Sequence, residues 1–116
     1  MLRILSATMF IALFSSHPVL ANPQVVLETT QGNITLELYE KEMPITVKNF
    51  LSYVESGFYN GTIFHKVIPE SLMQGGGYST DLSKKERQAP IQNESKETLK
   101  NERGTIAMAR LSSPHT

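Results

Sequence analysis

Cysteine is missing from the 116 residues, which excludes a disulfide framework, a thiolate nucleophile and a cysteine-type zinc cluster. Neither sign of charge prevails: 11 basic residues balance 11 acidic ones, so nothing electrostatic argues for a nucleic-acid partner. The three histidines, His17, His65 and His115, lack metal-ligand spacing. Gly75-Gly76-Gly77 is not a phosphate cradle, because no helix opening with Lys-Ser or Lys-Thr follows it. There is no internal repeat and no low-complexity tract. No apolar run is long enough to cross a bilayer comfortably; the best, Ile4 to Phe14, is too short.

That short run reads instead as the apolar centre of a secretory signal peptide. Arg3 precedes it, and Val19-Leu20-Ala21 offers a cleavage site after Ala21. The expected organisation is a leader over 1–21 and one domain over 22–116, with no membrane association once the leader is removed. The remainder is long enough to bury a core.

Within the domain, Gln24 to Thr30 and Asn33 to Tyr39 alternate as two strands joined by Gln31-Gly32. Val25, Leu27, Ile34, Leu36 and Leu38 point inward. Pro44 to Ser56 follows as an amphipathic helix with an apolar stripe of Val47, Phe50, Leu51 and Val54. Pro44 suits its first turn, with Thr46 as the alternative N-cap, and Gly57 suits its end. Asn60-Gly61 marks a turn into a third strand. Residues 78–103 are polar, with Leu82, Ile91 and Leu99 as the only anchors, and a stretch this long often borders a site. Gly104 to Ala109 reads as a further strand.

The third strand carries the chemistry. In Phe64-His65-Lys66-Val67-Ile68-Pro69, period-2 alternation groups Phe64, Lys66 and Ile68 on one face, against His65 and Val67 on the other. A Pro corner leads to Leu72-Met73-Gln74, and three glycines end that segment. A cation between two apolar residues either snorkels to solvent or is aimed into an apolar concavity.

Phe-His-Lys-Val-Ile-Pro, then Gln-Gly-Gly, then Arg103-Gly104-Thr105-Ile106-Ala107-Met108-Ala109 resembles the cyclophilin family of peptidyl-prolyl cis-trans isomerases, in its bacterial periplasmic branch. The resemblance runs from about Val25 to Arg110. It implies a mainly β fold, an antiparallel barrel with a capping α-helix. The barrel is expected to be incomplete, because the Ser-Gln-Phe-Phe-Ile-type strand with which the family continues is not present. Unpaired edges would follow.

The resemblance also assigns roles. Lys66 stands where the family has a catalytic arginine, and Gln74 matches the glutamine that binds substrate backbone and orients the cation. Leu72 matches a pocket-lining methionine, and Ser71 stands in place of an aromatic wall. Met108 and Ala109 lie on the strand lining the groove, with Arg110 where asparagine is common. Phe64 and Met73 complete the candidate substrate-binding set. No cofactor or metal is implied. The partners implied are proline-containing segments of unfolded or extended proteins, with weakened binding of cyclosporin-like ligands.

Lysine keeps the charge of arginine but not its planar fork, and Glu70-Ser71 replaces the family's Gly-Phe. A weaker isomerase of exported proteins, located in the periplasm, is therefore the leading expectation. The alternatives are a non-catalytic binder of proline peptides with a chaperone-like role, or an inactive truncated copy.

Overall fold

The computed structural model describes Pro18 and residues 20–112. The leader expected over 1–21 falls almost wholly outside the described residues, as does the tail beyond 112. Four strands and one helix follow in the order β1 (Gln24–Thr29), β2 (Gly32–Glu37), α1 (Pro44–Glu55), β3 (Thr62–Ile68) and β4 (Leu72–Ser79). They form two separate antiparallel hairpins, β1–β2 and β3–β4, and among the described residues no closed barrel. The mainly β class with one helix is as expected, and the sheets are open.

Alternation builds the first hairpin. Val25 pairs with Leu36 and Leu27 with Ile34, so these four share a face, since residues directly opposite on antiparallel strands project to the same side. Gly32, at φ +122°, supplies the turn conformation that other residues avoid. Beyond the last paired residues the Leu38 N–H donates to Pro23 O at 2.9 Å, which carries Leu38 into the core.

The helix packs on that face. Val25, Leu38 and Val47 are buried, and Leu27, Leu36, Met43, Phe50, Leu51 and Val54 pack around them. The stripe expected on α1 is therefore its core-facing side. Pro44 opens the helix. At its end Gly57, at φ +70°, closes a Schellman motif: the Gly57 N–H donates to Val54 O and the Phe58 N–H to Tyr53 O, both at 3.0 Å.

The stripe omits Tyr53, which is buried too. Its ring packs against Phe58 and Tyr59, at 4.6 and 5.8 Å between centroids, and its hydroxyl meets the polar stretch after β4, which does not hang free but lies along α1 as a strap. The Gln88 N–H donates to the Tyr53 hydroxyl at 2.7 Å. The Lys96 ammonium donates to Glu42 O at 2.8 Å. Ile91 sits over Ile45, Lys48, Asn49 and Ser52 around a shallow hollow of about 240 Å³.

Glu94 makes a two-pronged tie. Its Oε1 accepts from the Thr46 N–H at 2.5 Å and the Thr46 hydroxyl at 2.8 Å. Met43 provides no side-chain cap for α1, and the first turn has no acidic residue. Thr46 is thus not the N-cap; it receives one from 48 residues away. Burial would raise the Glu94 carboxyl, but the Thr46 donors, the Ile45 N–H and the nearby Lys96 outweigh it and hold the group below its usual value.

Two expectations fail in this region. Leu82 is no anchor: it is 70% exposed at φ +64°, in a turn where Asp81 accepts from the Ser83 hydroxyl and N–H. Those donors lower the Asp81 carboxyl. Residues 104–110 belong to no strand, and Ile106 and Met108 are about half exposed. An apolar, β-favouring sequence becomes a strand only when a neighbour takes its backbone hydrogen bonds, and among the described residues none lies alongside.

Candidate active site

The β3–β4 hairpin carries most of the candidate residues, and its ladder determines who meets whom. Ile68 pairs with Leu72, Val67 with Met73 and Lys66 with Gln74. Alternation over these three rungs places Lys66, Gln74, Ile68 and Leu72 on one face, and Val67 with Met73 on the reverse. The cation and the amide are direct cross-strand neighbours. Two apolar side chains stand beside them towards the turn.

Past Lys66 the regularity breaks. The register shifts between Phe64 and Lys66 and again between Thr62 and Phe64. Phe64 pairs with Gly75, one residue from Gln74, so two β3 residues advance against one on β4, as in a bulge. The expected grouping of Phe64 with Lys66 assumed an unbroken ladder. Phe64 instead packs on the Gly75 backbone: a Cβ there would lie 2.7 Å from Phe64 Cδ1 and 3.0 Å from Ile63 O.

The three glycines were expected to end the strand, yet β4 runs through them. Gly75 and Gly76 are tolerated because the ladder is irregular there and rings press against backbone. Gly76, at φ +87°, has Tyr59 Cε1 2.9 Å from where its Cβ would stand. Burial, with Tyr53 beside it, pushes the Tyr59 phenol up to about 12. The His65 ring meets Tyr78 at 4.6 Å between centroids but stays exposed on its strand. Lys85 ties the strap to the turn after α1, donating to Phe58 O with its ammonium 4.4 Å from the Phe58 ring centre.

The turn joining the strands is tight. The Ser71 N–H donates to Ile68 O at 3.1 Å. Pro69 stands second and Glu70 third, and Glu70 has φ +58°. These are the features of a type II turn, whose third position favours glycine.

The remaining candidates are not drawn together. Ser71 is exposed in the turn, and Met108, Ala109 and Arg110 are exposed outside any strand. The face itself is open, with Ile68 42% and Leu72 49% exposed, Lys66 exposed and Gln74 half-buried. Among the described residues no group of three or more His, Asp or Glu is placed to hold a metal ion, and no helix is long and apolar enough to cross a membrane. The interaction that sequence reasoning missed is the Glu94–Thr46 tie, which no local pattern could have shown.

Comparison with known proteins covers this hairpin along with the rest of the domain. Residues 24–116 match the family model described as cyclophilin type peptidyl-prolyl cis-trans isomerase/CLD. A peptidyl-prolyl cis-trans isomerase of Acinetobacter baylyi is 54% identical over 102 residues, covering 88% of this chain and 54% of that protein. Peptidyl-prolyl cis-trans isomerase A of Dickeya dadantii is 49% identical over 109 residues, 94% of this chain and 56% of its own length. Peptidyl-prolyl cis-trans isomerase B of Escherichia coli is 47% identical over 92 residues, 79% of this chain and 56% of its own. The chain spans about half the length of these curated relatives.

Proposed function

The chain belongs to the cyclophilin-type peptidyl-prolyl cis-trans isomerase family, and from that premise we propose that it accelerates rotation about X–Pro bonds in exported proteins, acting in the periplasm. The observation that carries this reading is the rung pair on one face of the hairpin, Lys66 opposite Gln74 and Ile68 opposite Leu72.

Rotation of an X–Pro amide faces a barrier of roughly 20 kcal/mol, because resonance keeps the bond planar. No bond is made or broken, so the catalyst needs only to bind the twisted amide better than either planar form. Ile68 and Leu72 supply apolar surface for a proline ring. Lys66 supplies a cation for the electron pair that localises on nitrogen as resonance is lost. Gln74 carries a donor and an acceptor for the flanking backbone, holding one side while the other turns.

The experiment is cis-to-trans conversion of a proline peptide followed without a coupled protease. Lys66→Ala lowers kcat/KM by about tenfold or more, by analogy with removal of one preorganised charge-stabilising donor. Lys66→Arg raises it, because the guanidinium can serve nitrogen and carbonyl together. If a folded sample gives no acceleration, the enzymatic reading is lost. If neither substitution changes the rate, Lys66 is structural.

The openness of the face favours a second reading. A surface on which Ile68 and Leu72 are nearly half exposed can hold a proline segment without enclosing it, which is what a non-catalytic binder requires. That reading expects saturable peptide binding with no change in the isomerisation rate.

A further inference from the structure

The turn closing the Lys66–Gln74 face holds the strained residue that the proposed mechanism does not use. Glu70 sits at φ +58°, in a turn position where glycine costs nothing and a side chain with a Cβ is strained. It is exposed, and among the described residues its carboxylate has no hydrogen-bond or ion-pair partner. Strain retained at the rim of a candidate site motivates a functional hypothesis. Counted at about 3.3 Å per strand residue, Glu70 lies roughly 10 Å from Lys66 along the hairpin. An extended peptide laid on the face would meet a cation at one end, apolar surface between, and a carboxylate about three residues on.

We propose that Glu70 selects substrates: the peptides preferred carry a lysine or arginine within about three residues of the proline. This rests on the proposed proline-peptide site and adds the chemistry of its ligand. The whole chain has zero formal net charge, so its overall field gives no reason to prefer cationic peptides. A preference would have to come from a local group, and Glu70 is the carboxylate at the end of this face.

The test uses matched proline peptides bearing Lys, Gln or Glu at each of three positions on either side of the proline. Each is assayed for isomerisation and titrated for binding by fluorescence anisotropy. At low salt the protein favours the best Lys peptide over its Glu counterpart about threefold, the scale of one exposed ion pair. Molar salt lowers the ratio towards one. Glu70→Gln removes it and Glu70→Lys inverts it, with circular dichroism confirming an unchanged fold. A wild-type ratio of one, or a ratio that survives Glu70→Gln, overturns the proposal and leaves the isomerase reading intact. A Glu70-dependent ratio in binding with no isomerisation of any peptide keeps the selector and removes the enzyme. Failure to bind or isomerise any peptide defeats both.

Discussion

The two hairpins are built from similar alternating strands and have opposite fates. β1–β2 gives its apolar face to α1, and the buried residues of the described chain, Val25, Leu38, Val47 and Tyr53, all lie there or on the helix. β3–β4 contributes none. Its Phe64, Val67, Ile68, Leu72 and Met73 are between 41% and 66% exposed. The lesson is a division of labour: one half supplies the cohesion, and the other displays a cation, an amide and apolar side chains on a ladder broken by register shifts and pressed by ring-to-backbone contacts.

Paired truncations probe that division most severely. Leu38→Ala costs about 2–4 kcal/mol, since it removes buried methyl groups and leaves a cavity, whereas Val67→Ala stays within about 0.5 kcal/mol. Urea denaturation of both checks the contrast, and equal losses would erase it. The exposed hairpin has its own point of rigidity. Gly75→Ala places a methyl against the Phe64 ring and the Ile63 carbonyl, at a cost of about 1–3 kcal/mol, read as a lowered denaturation midpoint with disturbed Phe64 resonances.

Smaller effects come from the ties. Glu94→Gln weakens the distant cap of α1 by about 0.5–1 kcal/mol. The folded carboxyl titrates below its unfolded value. Its contribution is therefore present above the unfolded pKa and fades as pH falls through the folded one. The wild type should lose stability over that acidic window more steeply than Glu94→Gln, whereas parallel curves would show that the tie contributes nothing. Smallest is Glu70→Gly. Relief of about 1 kcal/mol of left-handed strain is partly offset by about 0.5 kcal/mol of glycine chain entropy. A slight rise in Tm is expected, and a fall would mean that the Glu70 side chain stabilises the turn.

Local patterning was enough for every element that completes itself with near neighbours. The β1–β2 hairpin, its inward set, the stripe on α1 and its glycine stop are all legible, because each depends on residues a few positions apart. The Lys66, Gln74 and Leu72 group was legible only through the family likeness of its motifs, whereas the short corner of three residues between Ile68 and Leu72 keeps its two strands neighbours. Patterning failed where a partner is remote or absent. The Tyr53 hydroxyl and Thr46 meet Gln88 and Glu94, residues 104–110 have no strand beside them among the described residues, and Leu82 is exposed.

What the sequence determined by itself, then, is the set of segments able to become strand or helix, and the side chains each would present. Tertiary structure decided which were covered, where the ladder slipped to separate Phe64 from Lys66, and that a polar strap would cap a helix 48 residues away. The physical reason is range. Propensity and alternation act between near neighbours, whereas burial, register shifts and distant caps exist only once separate segments occupy the same space.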